Sequence, residues 1–236
     1  MKPRLLDLFC GAGGAAVGYH RAGFDVVGVD IKPQPHYPFE FHQADALTFP
    51  LDGFDAIHAS PPCQAFSAMR VMANARPHLD LLTPTRTRLV ASGVPFVIEN
   101  VLQAPMESGP PSLWSSLSGV VLCGSMFGLR TSRYELRRHR QFEASQSLPV
   151  MTCSHRSDLQ VVGFYGDHAR TRTRINGHHA RGTDITRNDD KLALVRDLMG
   201  IDWMSWSESN QAIPPAYTEW VGARLIANLV CHAADE

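Results

Sequence analysis

The chain lacks a long apolar run, an apolar signal core and any marked net charge. No stretch of its 236 residues is long and apolar enough to span a bilayer. The first residues, MKPRLLD, include an acid at Asp7 where an export signal would be apolar. The net charge of -1 does not by itself indicate a nucleic-acid partner. We therefore expect a soluble chain that is neither exported nor inserted in a membrane.

Cysteine is also scarce. The five cysteines are widely spaced and odd in number, which favours a reducing compartment over a disulfide framework and predicts a cytoplasmic protein. Cys123 and Cys231 are predicted to be core or near-core thiols. Five potential zinc ligands fit no common spacing: Cys153, His155, His168, His178 and His179. We therefore predict no metal site.

The charge that is present is unevenly distributed. Between Arg130 and Arg187 lie eleven of the 22 basic residues against five acids. This stretch carries about +6 and the rest of the chain about -7. A local basic stripe on a nearly neutral chain is typical of a surface that binds a phosphate backbone, although an arginine-rich surface loop would have the same composition.

Short apolar runs alternate with turn signals and helical stretches in the first hundred residues. Strands are predicted at residues 4–9, 25–30, 54–59, 95–99 and 119–122, and a helix at 15–22. Near-continuous Val, Ile, Leu and Phe indicates strands buried on both faces. The pattern predicts an α/β fold with a Rossmann-like, doubly wound, mostly parallel sheet.

The pattern weakens after residue 130. Residues 144–187 are rich in Ser, Thr, Arg, His and Gly and contain one predicted strand at 161–165. Helices are predicted at 190–199 and 215–232. We divide the chain into a catalytic and cofactor-binding core at 1–142, a short basic insertion at 143–196, and a C-terminal segment at 197–236 that packs back on the core.

A glycine-rich turn follows the first predicted strand. Gly11, Gly13 and Gly14 let the backbone turn tightly and approach a ligand closely. The next strand ends at Asp30, whose carboxylate can accept hydrogen bonds from both ribose hydroxyls of an adenosine, and Asp45 follows the third strand. These strand ends predict a nucleoside site at the carboxyl edge of the sheet, although the glycine spacing is not that of the dinucleotide fingerprint.

A cysteine leaves the fourth predicted strand in the string Pro61-Pro62-Cys63-Gln64. The prolines fix φ and make the chain rigid where Cys63 enters the ligand crevice. A lone cysteine is more often a small buried hydrophobe. Its thiolate could instead be a covalent nucleophile, which requires a lowered pKa or a nearby base. Glu99 ends the fifth strand, and its carboxyl could act as a general acid.

Three strings resemble motifs of the cytosine-C5 DNA methyltransferase family, in the family's order. Residues 7–14 resemble the first motif, residues 60–67 the fourth and residues 97–101 the sixth. The resemblance implies S-adenosylmethionine as the cofactor, Cys63 as the covalent nucleophile, and Glu99 on N3 and the exocyclic amine of a flipped cytosine. It also implies that Phe9 packs on the cofactor, while Asp30 holds the ribose and Asp45 the adenine.

The resemblance continues beyond residue 130. Residues 136–142 resemble the eighth motif, with Arg138 and Arg140 on its two arginine positions and Leu136 where the family has Gln. The two arginines are implied to contact the catalytic loop, the base or a phosphate; a strand with one solvated arginine face is the alternative. Residues 198–201 resemble the ninth motif and residues 210–215 the tenth, with Asn210-Gln211 in place of Gly-Asn. The remaining implied contacts are Gly11, Gly13, Gly14, Ile31, Pro61, Gln211 and Ala212 to the cofactor, and Gln64 and Ser67 to DNA.

The stretch between the eighth and ninth motifs is where family members carry a target-recognition domain. It is short for that role, which predicts a short or relaxed target sequence. Alternating arginines of an extended segment would share one face, so we predict phosphate contacts from Arg170, Arg172, Arg174 and Arg181. A small, self-contained member of the family predicts a monomer and an origin in a bacteriophage or related mobile element.

Three other interpretations stay open. An RNA cytosine-C5 methyltransferase would carry the same motifs, because one branch of the family acts on tRNA. A catalytically silent module that binds cofactor or DNA would explain the altered tenth motif, but not the intact Cys63, Glu99 and Arg140. A dinucleotide oxidoreductase would leave the Pro-Pro-Cys-Gln and Glu-Asn-Val strings unexplained. DNA is the predicted substrate, and RNA is the alternative that the motifs leave open.

Overall fold

The computed structural model describes residues 2–66, 79–107, 117–165, 168–175, 178–180 and 190–234. The strands in these ranges are β1 (Arg4–Leu8), β2 (Asp25–Asp30), β3 (Glu40–Gln43), β4 (Ala56–Ala59), β5 (Phe96–Asn100), β6 (Ser118–Leu122), β7 (Tyr134–Leu136), β8 (Arg140–Ala144), β9 (Gln160–Tyr165), β10 (His168–Ile175) and β11 (His178–Ala180). The α-helices are α1 (Gly14–Ala22), α2 (Leu82–Ser92), α3 (Lys191–Met199), α4 (Trp206–Ser209) and α5 (Pro215–Ala234).

Within the described ranges, seven strands form one sheet in the order β3-β2-β1-β4-β5-β8-β6. Strands β3, β2, β1, β4 and β5 pair in parallel, and β8 is antiparallel to both of its neighbours. The order reverses between β1 and β4, and doubly wound sheets bind ligands at the carboxyl ends of the strands at such a point. The predicted doubly wound, mostly parallel sheet is confirmed.

Apolar cores cover both faces of this sheet. Leu5 of β1 packs in a core with Tyr19 of α1 and Tyr217 of α5, whereas its neighbour Leu6 packs on the opposite face with Leu89 of α2. All five residues are at most 1% exposed. Because successive side chains of a strand point to opposite faces, strands enclosed in this way require apolar residues at nearly every position.

Helices α1 and α5 approach each other closely through a glycine. A Cβ at Gly18 would lie 2.0 Å from Oγ1 of Thr218 and 2.2 Å from the carbonyl oxygen of Pro215. The Thr218 hydroxyl donates to the carbonyl of Ala15 at 2.8 Å. Only a residue without Cβ permits this contact. The segment that leads into α5 is thereby held against the start of α1.

A second sheet has the order β11-β10-β9-β7, with β7 parallel to β9 and antiparallel pairing elsewhere. One apolar core joins it to α3, through Leu136, Val162, Phe164, Leu194 and Leu198. Strands β7, β10 and β11 were not predicted. In β10, HARTRTRI, arginines alternate with threonines, so the segment has no hydrophobic period that would predict a strand.

The predicted elements agree with the observed ones to within about two residues at their ends, which is the usual uncertainty of such boundaries. Strand β3 ends at Gln43, so Asp45 follows it by two residues. Helices α2 and α4 were not predicted. In the part of the chain that the structure describes, no helix has the length and apolar character needed to cross a membrane.

Candidate active site

The turn after β1 has an unusual backbone. Phe9, Gly11 and Gly13 have φ angles of 57°, 50° and 85°. Positive φ is unfavourable for a phenylalanine, and such residues cluster where a surrounding structure imposes them, often at functional sites. A Cβ at Gly11 would meet no atom within 4 Å, so the space beside the turn is open.

Acceptor groups lie beside this open turn. The Oδ2 atom of Asp30 accepts from the Gly11 N–H at 3.1 Å, and its Oδ1 atom accepts from the Lys32 N–H at 2.9 Å. A carboxylate oxygen has more than one acceptor site, so both oxygens can accept a further hydrogen bond. The next side chain, Ile31, is 66% exposed, and Asp45, two residues after the end of β3, is exposed as well. Two acceptors and an exposed apolar surface fit a ribose and a purine ring.

The C-terminal segment completes this region. The indole N–H of Trp203 donates to the carbonyl of Ala12 at 2.9 Å. A Cβ at Gly14 would lie 2.6 Å from the carbonyl oxygen of Ile213 and 3.2 Å from Cβ of Ala212. Ala212 therefore packs directly on the glycine turn, and the adjacent Gln211 is exposed. The structure thus brings the segment that resembles the tenth motif to the segment that resembles the first.

The residues predicted to be catalytic meet at the carboxyl ends of β4 and β5. Glu99 is 5% exposed, and its Oε1 atom lies 3.0 Å from Nε of Arg140 at the start of β8. The Asn100 side chain donates to the carbonyl of Pro61 at 2.9 Å and so ties the end of β5 to the loop that carries Cys63. The Cys63 thiol interacts electrostatically with Glu99 and with both arginines that flank residue 139.

Arg138 is buried, and its contacts are with the backbone. Its Nη2 atom donates to the carbonyl of Asn210 at 2.6 Å, and its own carbonyl accepts from the Tyr217 hydroxyl at 2.6 Å. Burial lowers the pKa of Arg138 to about 9. Arg138 therefore joins the β7–β8 turn to the C-terminal segment, whereas Arg140 pairs with Glu99.

Burial dominates the electrostatics of the two reactive groups. It raises the pKa of the Cys63 thiol; Arg140 offsets part of this rise and Glu99 adds to it. It also raises the pKa of Glu99, against the opposing effects of Arg140 and a hydrogen bond with Ser60. The resting thiol is therefore protonated at neutral pH. The lowered pKa considered for Cys63 is not present in this state, which leaves a nearby base as the other source of the thiolate.

A buried chain of polar side chains leads to Glu99, and the sequence analysis did not identify it. The Tyr19 hydroxyl lies 2.9 Å from Nδ1 of His58, and Nε2 of His58 lies 2.9 Å from Oγ of Ser60. Burial lowers the pKa of His58 to about 3, so the ring is neutral. The available signal was a single polar residue in the apolar strand β4, followed two positions later by Ser60.

The residues predicted to bind DNA are less fully described. Gln64 is exposed in the turn that follows Cys63. Arg170, Arg172 and Arg174 occupy alternate positions of β10, which pairs with β9 and β11. Ser67 and Arg181 lie outside the described residues.

Part of this chain matches a known family. The family model of the C-5 cytosine-specific DNA methylases matches residues 3–105. The resemblance predicted from the sequence is therefore confirmed for this part of the chain. The matched residues include the glycine turn, Cys63 and Glu99, whereas Arg138 and Arg140 lie beyond them.

A curated relative is the type II methyltransferase M.AquIA of Picosynechococcus sp., which is 31% identical over 127 residues. The alignment covers 43% of this chain and 49% of the relative, so the chain spans about half of the relative's length.

Solved structures show a similar fold over 97% of this chain and 99% of each matched chain. They include the Entamoeba histolytica methyltransferase EhMeth (TM-score 0.58, 10% identity), the S. pombe Dnmt2 methyltransferase (0.56, 13%) and a protein described as a DNA modification methyltransferase encoded within an E. coli prophage (0.55, 15%). At these identities the similarity concerns the fold alone.

Proposed function

We propose that this protein transfers a methyl group from S-adenosylmethionine to C5 of a cytosine in DNA, with Cys63 as the covalent nucleophile. The observation that carries the proposal is the meeting of Cys63 with the Glu99–Arg140 pair beside an open glycine turn, at the switch point of the sheet. The family match to residues 3–105 supports the same chemistry.

The open turn after β1 fits the proposed cofactor. Phe9 and Ile31 offer apolar surface, Gly11 leaves space for a ligand, and Asp30 retains acceptor capacity for two ribose hydroxyls. Asp45 would bind the adenine, and Gly13, Gly14, Pro61, Gln211 and Ala212 would complete the pocket. When bound, S-adenosylmethionine supplies an electrophilic methyl group.

The protein's own residues would prepare the cytosine for that methyl group. The target base must leave the duplex before its C6 is accessible, at a cost of a few kcal/mol. The Cys63 sulfur would lose its proton to a base and form a bond to C6, while Glu99 donates a proton to N3 and Arg140 balances the charge of the resulting carboxylate. C5 would then take the methyl group, with S-adenosylhomocysteine as the other product. Loss of the C5 proton to a base, return of the N3 proton to Glu99 and cleavage of the S–C6 bond would restore the ring.

Glu99 suits the acid step because burial raises its pKa above that of an exposed carboxyl, so a larger fraction of it is protonated at any given pH. Arg140 and Arg138 lower the Cys63 pKa against the effect of burial, and so favour formation of the thiolate. Arg138 acts mainly as a positioning residue, because its hydrogen bonds are to the Asn210 backbone.

DNA as the substrate is supported by the basic stretch from Arg130 to Arg187, in which eleven basic residues stand against five acids. Arg170, Arg172 and Arg174 lie in this stretch, together with Arg181, and Gln64 and Ser67 follow Cys63 directly in the proposed base-binding loop. Phosphate contacts of this kind would make binding strongly dependent on salt.

The test is expression in a methylation-deficient bacterium, followed by separate measurement of 5-methylcytosine in hydrolysed DNA and RNA. We expect 5-methylcytosine in DNA from the wild type and none from Cys63→Ala. Bisulfite sequencing of the same DNA would give the target. Cys231→Ala, which removes a thiol near the end of α5, is the matched control and should retain the signal.

Two outcomes would contradict the proposal in different ways. A Cys63-dependent signal confined to RNA would identify the tRNA-type activity instead. A folded wild-type protein that binds S-adenosylmethionine but modifies neither nucleic acid would identify a silent module.

A further inference from the structure

Four metal-ligating side chains meet outside the proposed active site: Cys123, His139, Cys153 and His155. One donor atom from each lies within 4.8 Å of all the others. The sulfur of Cys123 is 3.4 Å from Nε2 of His155, and the sulfur of Cys153 is 3.4 Å from Nε2 of His139. Around a tetrahedral zinc ion, with bonds of about 2.3 Å to sulfur and about 2.0 Å to nitrogen, donor atoms lie about 3.3–3.8 Å apart. The four side chains therefore already stand close to the corners of a zinc site.

The fold brings these side chains together from three separate segments. Cys123 directly follows β6 and His139 directly precedes β8, and the pairing of Leu122 with Arg140 places the two ligands side by side at the end of this antiparallel pair. Cys153 and His155 come from residues 145–159, a described stretch without helix or strand between β8 and β9. Loops of this length without secondary structure are uncommon unless something anchors them.

Neighbouring hydrogen bonds hold the ligands in this arrangement. The Ser125 hydroxyl donates to the Cys123 sulfur at 3.3 Å and accepts from the Ser154 N–H at 3.2 Å. The His139 ring also makes a hydrogen bond to the backbone of Arg137. Metal-bound histidines are usually oriented in this way by a partner on the other ring nitrogen.

The donor set selects the metal. Two thiolates and two imidazoles are typical of structural zinc sites, whereas Mg²⁺ and Ca²⁺ prefer oxygen ligands. Two thiolates also neutralise a divalent cation. Four protein ligands leave no position for water or substrate, which distinguishes a structural site from a catalytic one.

The geometry points to a structural zinc site formed by Cys123, His139, Cys153 and His155. Zinc there cross-links the end of β6, the start of β8 and the loop that leads to β9, and so joins the second sheet to the first. The prediction of no metal site considered only Cys153, His155 and the later histidines. Cys123 was predicted to be a core or near-core thiol, and pairing of β6 with β8 brings it beside His139. The proposal is independent of the methyl-transfer reaction.

The test is the metal content of untagged protein purified under reducing conditions without chelator. We expect one zinc ion per chain by inductively coupled plasma mass spectrometry. Cys153→Ser and His155→Gln should lose most of this zinc. Matched controls that remove a thiol or an imidazole elsewhere, Cys63→Ser and His42→Gln, should retain it.

Two further measurements keep the test valid where a variant fails to fold. His155→Cys should retain zinc, because three thiolates and one imidazole also form a structural site. Metal-free wild-type protein titrated with Co²⁺ should develop the visible absorption of tetrahedral cobalt and the charge-transfer bands of thiolate ligands.

The proposal is overturned if reduced wild-type protein contains no zinc and takes up no Co²⁺. It is also overturned if Cys63→Ser or His42→Gln loses as much zinc as Cys153→Ser, since binding would then be nonspecific. A Cys123–Cys153 disulfide in place of metal, detected by mass spectrometry of the protein as isolated from cells, would equally exclude it.

Discussion

The two sheets of this protein hold their polar side chains in different ways. In the seven-stranded sheet, His58, Glu99 and Asn100 lie almost fully buried between two apolar cores, at or next to strand ends. The second sheet has one apolar core, shared with α3. Where it joins the first sheet, the side chains that gather are two thiols and two imidazoles, and His155 among them is exposed.

This difference has a physical reason. Two apolar layers exclude water from a strand end, and this burial raises the pKa values of Glu99 and Cys63. Water also screens the charge of Arg140 less in such an environment. A small sheet with one apolar layer buries less apolar area and excludes less water. Small regions of this kind are often stabilised by a cross-link such as a metal ion. The first sheet therefore carries the proposed active site, and the second sheet is held to it by the proposed zinc site.

We expect the largest effect from His58, which two apolar layers bury. Its burial should make the free energy of unfolding fall as the pH falls. Its pKa is lowered from 6.5 to about 3 by burial, so below pH 6.5 the unfolded chain binds a proton that the folded chain does not. Stability is therefore lost as pH falls between these values, by roughly 5 kcal/mol in full and about 2 kcal/mol by pH 5.

Urea unfolding of the wild type, His58→Gln and His42→Gln at pH 7.5, 6 and 5 measures this loss. The wild type and the exposed-site control His42→Gln should lose the same stability, whereas His58→Gln should lose about 2 kcal/mol less. Parallel pH dependence in all three proteins would show that His58 is not held neutral by burial.

The second effect tests the close contact under the first sheet. Gly18→Ala places a Cβ within 2.0–2.2 Å of Thr218 and Pro215 of α5, and should cost about 2 kcal/mol after the gain in helix propensity. Gly222→Ala meets the side chain of Ala22 at 2.8 Å in the same interface and should cost less. Thermal or urea unfolding measures the loss of stability in both variants. An equal loss in the two, or a larger loss in Gly222→Ala, would contradict the close contact of Gly18 with α5.

The smallest effect concerns the charge beside Cys63. Arg140 lowers the pKa of this thiol and Glu99 raises it. Arg140→Gln should therefore slow iodoacetamide modification of Cys63 at pH 8 by roughly three- to tenfold and move its pH profile upward, and Glu99→Gln should move it downward. Mass spectrometry of the modified peptide follows the reaction, with the exposed Arg133→Gln as a control that should leave the profile unchanged. If the pH profile of Cys63 modification moved in the same direction in Arg140→Gln and Glu99→Gln, the opposite effects proposed for the two side chains would be excluded.

Much of the first sheet was predictable because its residues carry two signals at once. The strands β1, β2, β4 and β5 are near-continuous apolar runs, and the strings at or after the ends of β1, β4 and β5 have distinctive residue types at fixed positions. The link from His58 through Ser60 to Glu99 was not predictable in the same way. It joins residues from adjacent strands that are far apart in sequence, and pairing of β4 with β5 alone brings them together.

By itself the sequence determined the doubly wound sheet, the glycine turn and the order of Cys63, Glu99 and Arg140 along the chain, because hydrophobic period, glycine content and local strings are properties of neighbouring residues. Tertiary structure alone decided three things. It placed Arg140 on Glu99, raised the Cys63 pKa through burial, and gathered Cys123, His139, Cys153 and His155 within 4.8 Å. Distances, solvent exclusion and long-range strand pairing determine these features, and none of them can be read from residues adjacent in the chain.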